Sequence, residues 1–187
     1  MGRWLDKRAE KKLQRARLLK DRATLADRDQ REPALQHRVA DWMRHADVGA
    51  VGFYFPIRGE PDLRAVIGDW LALDPRRIAG LPVIVGDLLE FHAWTADSPM
   101  RGGDFGIPVP AQGRPMQPDC LLIPCLGFDA KRFRLGYGGG YYDRTLKVLI
   151  PYPLVVGVAF ETARLQTIHP LPHDATMDVV ITDAAVY

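Results

Sequence analysis

The chain has 187 residues, 47% of them hydrophobic and 26% charged, with a formal net charge of +2. These values exclude disordered, collagenous and disulfide-rich classes and leave an ordinary globular chain, so one domain spanning residues 1–187 is expected. No apolar run approaches the roughly 20 residues of a spanning helix, and the opening MGRWLDKRAEKK lacks a signal-peptide core, so a cytoplasmic protein without membrane contact is expected.

The segment from Lys7 to Ala26 has no Gly or Pro and is rich in Lys, Arg, Leu and Ala, which predicts a helix. Pro33 can open a second helix as its first residue, and Leu35, Val39, Trp42, Met43 and Ala46 then form an apolar stripe that Gly49 closes off. Residues 1–47 hold 13 Lys or Arg against 8 Asp or Glu, a local charge of +5, but the interspersed acids argue against a nucleic-acid tail.

Short apolar runs and helical stretches then alternate: AVGFYFP, a helix near Leu63–Leu73, RIAGLPVIV, LLEFHAW, CLLIPCL, a helix after the tyrosines at 141–142, PLVVGVAF and DVVITD. That order predicts an α/β fold with a mostly parallel central sheet flanked by helices and the basic N-terminal helix packed on it. LLEFHAW alternates in a way compatible with antiparallel pairing. Residues 95–118, rich in Pro, Gly and Asp, exceed an ordinary connection and have the character of a substrate lid. Cys120 and Cys125 would point to opposite faces of a strand, which excludes a metal pair and predicts two reduced structural thiols.

The densest chemistry lies in Arg134-Leu-Gly-Tyr-Gly-Gly-Gly-Tyr-Tyr-Asp-Arg144. Gly136, Gly138, Gly139 and Gly140 free the backbone to present N–H groups to an anion at the start of a helix. The spacing is neither a Walker loop nor a dinucleotide fingerprint. A flexible turn with a helix cap would use the same glycines, but Arg134 and Asp143 beside them favour a phosphate site with a possible Mg2+ ligand. On the first helix, Arg15 and Arg22 fall within about 40° of Lys11, on a face shared with Leu18 and Leu25. Cations on an inward face need an anionic partner, unless their long stems snorkel to water.

The run IPCLGFDAKRFRLGYGGGYYDR resembles the signature of the 5-formyltetrahydrofolate cyclo-ligases, and the resemblance extends through FYFPIRGE, FGIPVP and HPLPHDATMDVVITD. It implies an ATP-dependent enzyme that converts 5-formyltetrahydrofolate to 5,10-methenyltetrahydrofolate, with ATP as co-substrate, Mg2+ as metal, and a monomer as the expected state. It further implies that Lys11, Arg15, Arg134, Gly136, Gly138, Gly139, Gly140 and Tyr142 bind the nucleotide, with Arg134 and Tyr141 nearest the chemistry. Tyr54, Glu60, Phe105, Tyr137 and Tyr141 would hold the reduced folate, and Asp143 and Asp174 the metal. By residue type alone, Glu60 could equally be a helix cap, and His173-Asp174 a turn.

The sequence departs from the family pattern at four places. Val109 stands where most members have Glu, Phe133 where Gly or Asn is usual, Gly139 where some have Lys, and Gln14 where Leu is usual. Val109 keeps a second reading open, a paralogue that binds folate or nucleotide without turnover.

Overall fold

The computed structural model describes residues 2–172 and 174–187, with side chains from residue 7 onward. His173 therefore lies outside the described residues. The first half of the chain forms α1 (Gly2–Ala23), α2 (Arg28–His45), β1 (Ala50–Gly52), α3 (Arg64–Ala72), β2 (Ile78–Val85) and β3 (Leu88–Ala93). The second half forms β4 (Met100–Gly102), β5 (Pro108–Pro110), β6 (Pro115–Met116), β7 (Cys120–Pro124), β8 (Gly127–Asp129), β9 (Arg134–Leu135), α4 (Tyr141–Leu146), β10 (Leu154–Val158), β11 (Arg164–Leu165) and β12 (Val179–Ile181).

A seven-stranded sheet in the order β12-β10-β7-β1-β2-β3-β6 organises the molecule. Its first five strands run parallel, and β3 and β6 add antiparallel pairings at one edge. Alternation along β7 divides the core between two faces. Cys120 and Leu122 join α2 and α3 on one side through Leu35, Val39, Met43, Ile67 and Trp70. Leu121 and Ile123 meet Leu18 of α1 and Leu146 of α4 on the other. Cys120 and Cys125 sit in different faces, both free and buried, as their spacing implies.

Three boundaries differ from the sequence expectation. Helix α2 begins at Arg28, which places Pro33 inside it rather than at its first position. The start is fixed earlier by one local and one tertiary contact: the Asp27 carbonyl accepts the Gln30 and Arg31 N–H groups at 3.0 and 2.9 Å, and Arg31 reaches Asp183 at 2.7 Å. The missing Pro33 N–H is one lost bond against these. Helix α1 stops at Ala23, before Asp27 turns the chain at a positive φ of 52°. Strand β1 ends at Gly52 rather than Pro56, because the chain leaves the sheet to form the turn 57–60, which the Glu60 N–H closes onto the Ile57 carbonyl at 2.9 Å.

The 95–118 segment is more ordered than its composition predicts. Strands β4 and β5 form a hairpin, and β6 pairs with β3. Among the described residues no helix is long and apolar enough to cross a membrane.

Candidate functional site

The connection from β1 goes to β2 on one side, and that from β7 goes to β10 on the other, although β1 and β7 are neighbours. Such a switch point leaves a crevice beyond the carboxyl ends of the two strands. The segments singled out in the sequence converge there. After β1 comes the turn bearing Glu60. After β7, strands β8 and β9 pair antiparallel and lead into the glycine loop. Asp129 fixes their turn, its carboxylate accepting the Lys131, Phe133 and Ile168 N–H groups at 3.0, 3.2 and 3.2 Å, so the Phe-Asp of the signature has a structural task.

Helix α1 contributes its cation stripe. Lys11 and Arg22 are buried and Arg15 is half-buried, whereas Arg8 and Arg17 are exposed. The Lys11 ammonium pairs with Asp174 at 2.8 Å, so the inward cations do find acceptors, but across the fold rather than along the helix. Arg15 donates through Nε to the Gly136 carbonyl at 2.8 Å, and its guanidinium packs against Gly138. Burial pushes the Arg15 guanidinium below its usual range, and nearby Asp174 opposes this.

The glycine loop is held from both ends. Arg144, which the sequence reading left without a role, donates to the Gly139 carbonyl at 2.9 Å and to the Asp87 carbonyl of the β2–β3 turn at 2.8 Å. In a trans peptide the N–H points opposite to its carbonyl. Fixing the carbonyls of Gly136 and Gly139 therefore turns the Tyr137 and Gly140 N–H groups the other way. Gly138 and Gly140 have φ values of 102° and 70°, which explains glycine at both. The helix after the loop, α4, starts at Tyr141 itself and has only six residues, so its dipole adds little and the oriented N–H groups matter more.

Arg134, on β9, donates to Asp143 at 3.1 Å and lies over the Tyr142 ring at 5.2 Å from its centroid. Asp143 also accepts the Ala175 N–H at 3.4 Å, which brings it to the segment carrying Asp174. Asp174 accepts the Leu171 N–H at 2.9 Å as well as Lys11. The two aspartates thus lie on adjoining segments, Asp143 in the first turn of α4 and Asp174 in the loop before the last strand, each already paired with a cation. Among the described residues no three His, Cys, Asp or Glu side chains form a metal cluster. Two hard carboxylates fit Mg2+, which keeps several waters and uses phosphate oxygens for the rest of its shell.

On the opposite wall, Glu60 is only 3% exposed. Its carboxylate accepts the Ile57 N–H at 2.9 Å and the Tyr137 hydroxyl at 2.8 Å. Burial raises the Glu60 carboxyl above the usual range, against the lowering effects of those two donors and of Arg22 and Arg58. Tyr54 is buried, with its hydroxyl committed to the Pro61 carbonyl at 2.8 Å, so it braces the Glu60 turn from below and presents no free group to a ligand. Arg58, also missed in the sequence reading, lies over the Tyr137 ring at 5.4 Å.

Phe105 stands at the tip between β4 and β5, 80% exposed and at a positive φ of 54°, unusual for an aromatic residue. Its ring meets Tyr141 edge-on with centroids 6.4 Å apart, bringing the hairpin tip to the glycine loop. Val109 is buried and packs against Gly103 within that hairpin.

Arg144 and Arg58 carried no sequence signal of their own. Each acts by donating to, or stacking on, a segment distant in the chain, and only the loop's demand for fixed carbonyls could have suggested such partners.

The sequence profile of the 5-formyltetrahydrofolate cyclo-ligase family matches residues 7–183. A 5-formyltetrahydrofolate cyclo-ligase of Haemophilus influenzae is 29% identical over 181 residues, covering 91% of this chain and 92% of that protein. The corresponding protein of Mycolicibacterium smegmatis is 31% identical over 141 residues, 69% of this chain and 71% of its own length. The solution structure of an Aquifex aeolicus 5,10-methenyltetrahydrofolate synthetase superposes with a TM-score of 0.78 at 28% identity, covering 94% of this chain and 91% of that one. With a profile match that runs from Lys7 in α1 to Asp183, just past the last strand, the chain belongs to the 5-formyltetrahydrofolate cyclo-ligase family.

Proposed function

We propose that this chain uses ATP to convert 5-formyltetrahydrofolate to 5,10-methenyltetrahydrofolate with release of ADP and phosphate, as a cytoplasmic monomer, and that the crevice described above is its active site. The observation that carries the assignment of residues is the meeting, at one switch point, of a cation-lined glycine loop with a buried carboxylate. The loop suits a polyphosphate, and Glu60 suits the N–H groups of a reduced pterin.

The formyl oxygen of the substrate is a poor leaving group. When it attacks the γ-phosphorus of ATP, ADP leaves and the oxygen becomes part of a phosphate ester. N10 then attacks the formyl carbon, the new C–N bond forms, the C–O bond breaks with departure of phosphate, and N10 loses its proton. Ring closure is intramolecular, so correct placement supplies much of the acceleration. The protein must position the γ-phosphoryl group and neutralise its charge.

Lys11, Arg15 and Arg134 supply positive charge, with the N–H groups of the Gly136–Gly140 loop. Arg15 spends only its Nε on the loop, which leaves its terminal nitrogens for phosphate. Asp143 and Asp174 would hold Mg2+, whose charge would offset that of the triphosphate. Glu60 and Tyr137 hold the pterin side, Phe105 and Tyr141 cover the ring from the hairpin and the loop, and Tyr54 supports the Glu60 turn.

The position of Val109 supports turnover over a binding-only paralogue. Its buried side chain packs into the hairpin against Gly103, so it has a structural task there. The test is to follow methenyltetrahydrofolate by its absorbance with and without ATP while counting ADP. Product formed only with ATP, one ADP per methenyl group, is expected. Tight folate binding with no product would favour the paralogue.

A further inference from the structure

We infer that Arg22 is a positioning residue for the folate side of this site: acting through the Tyr137 hydroxyl, it holds Glu60 in place as a charged acceptor. The inference rests on the reading that Glu60 faces the folate.

Arg22 is 7% exposed and makes no direct ion pair among the described residues. Its Nε donates to the Arg58 carbonyl at 3.1 Å, and its Nη2 donates to the Tyr137 hydroxyl. Tyr137 in turn donates to Glu60 at 2.8 Å. Buried Nη1 has no partner among the described residues. A guanidinium buried with one edge unpaired is a standing cost, and a salt bridge would be the ordinary remedy. Here the compensating charge lies one phenol away. A hydroxyl that accepts from a cation is polarised and becomes a stronger donor, so the relay transmits part of the Arg22 charge to the Glu60 carboxylate. The Nε bond also ties α1 to the turn 57–60, which fixes the orientation of the carboxylate.

The surroundings make Glu60 readable. The cations near it are Arg22 on α1, Arg28 on α2, which reaches the Glu60 carbonyl at 3.3 Å, and Arg58 in its own turn. Tyr54, Tyr137, Tyr142 and Cys125 also face it. Burial raises all four above their usual ranges, the Cys125 thiol to about 12. Burial moves these phenols and this thiol further above neutral pH, so Glu60 is the carboxyl whose signal reports on this cluster. Removing the Arg22 charge removes a lowering influence, so Glu60 takes up its proton at higher pH and the acceptor is lost sooner as pH falls.

The experiment is a carbon-13 NMR titration of protein labelled at the Glu side-chain carboxyl carbon, with the Glu60 signal assigned from Glu60→Gln. Affinities for 5-formyltetrahydrofolate and ATP are measured on the same samples. Arg22→Gln should raise the Glu60 midpoint by about one unit and weaken folate binding at a pH between the two midpoints up to about tenfold. ATP affinity should change less than twofold, and Arg22→Lys should recover part of the midpoint. Tyr137→Phe, which breaks the relay while leaving Arg22, should also raise the midpoint and carries the test should Arg22→Gln not fold. A midpoint unmoved in the Arg22 and Tyr137 variants overturns the inference and leaves Arg22 a strut. A midpoint that moves without a change in folate affinity overturns the assignment of Glu60 to the folate and spares the coupling itself.

Discussion

Replacing Lys11 with Ala separates a phosphate ligand from a structural strut, because the structure gives Lys11 both opportunities. Its ammonium meets Asp174 at 2.8 Å, with side-chain exposures of 9% and 13%, so the pair is largely dry and ties α1 to the segment before the last strand. A Lys11 that merely snorkelled to water would leave stability almost unchanged when replaced. The observed pair changes that: loss of one partner leaves a half-buried carboxylate, still held by the Leu171 N–H, at a cost of about 1–3 kcal/mol. If Lys11 also contacts phosphate, ATP affinity falls by a further charge-assisted contact of roughly 1.5–3 kcal/mol, about ten- to a hundredfold. Calorimetric ATP binding and thermal midpoints of Lys11→Ala, Asp174→Ala and the double variant resolve the two roles. The double variant should regain stability relative to Lys11→Ala, since no orphan carboxylate remains, without regaining ATP affinity. Arg17, whose side chain is 78% exposed, is the control, and Arg17→Ala should be silent in both measurements. Wild-type ATP affinity in folded Lys11→Ala would refute the phosphate role, and equal losses in Lys11→Ala and Arg17→Ala would reduce it to a diffuse basic field.

Asp143→Asn and Asp174→Asn should each raise the Mg2+ concentration needed for half-maximal turnover at least tenfold while leaving folate affinity within about twofold; wild-type Mg2+ dependence in both would remove the metal assignment. Phe105→Ala should raise the KM for the folate several-fold with little change in the thermal midpoint, because the residue is 80% exposed and meets the Tyr141 ring only edge-on; an unchanged KM would argue against its stacking role. Cys120 and Cys125 have thiols pushed up to about 12 by burial, so neither is a thiolate at pH 8, and Ellman's reagent should label both only after unfolding.

The parts of this molecule legible in the sequence are those written within one turn or one pleat. The glycine loop, the alternation along CLLIPCL and the inward face of α1 follow from local geometry. Partners across the chain do not. Nothing near Lys11 announces Asp174, 163 residues away, and nothing near Arg144 announces the Asp87 carbonyl that it grips. Strand order is tertiary for the same reason: β1 lies between β2 and β7, with α3 packed on one face of the sheet and α4 on the other. Pro33 misled because proline is read as a starting signal, whereas here the anchors of Arg28 and Arg31 set the start one and a half turns earlier. Phe105 could be found only as part of a family motif, since the left-handed backbone that displays it is invisible in composition.

The charges of the site also constrain how the proposed ligands enter it. Lys11 and Arg134, the cations assigned to the triphosphate, are paired with Asp174 and Asp143, the carboxylates assigned to the metal. ATP alone would draw the cations away and leave two carboxylates facing a polyanion. Mg2+ alone would compete with an ammonium and a guanidinium already in place. Arriving together, they exchange one set of partners for another, and no charge is left without a counterpart in a partly buried crevice, where an unpaired charge is most costly. On this reading the site favours the MgATP complex over either component, by pairings that exist before any ligand binds. Glu60 stands outside that exchange. Its contacts run to Ile57, Tyr137 and, through the phenol, Arg22. The folate wall can therefore keep its geometry while the phosphate wall changes partners, as a reaction that moves a phosphoryl group between two bound substrates requires.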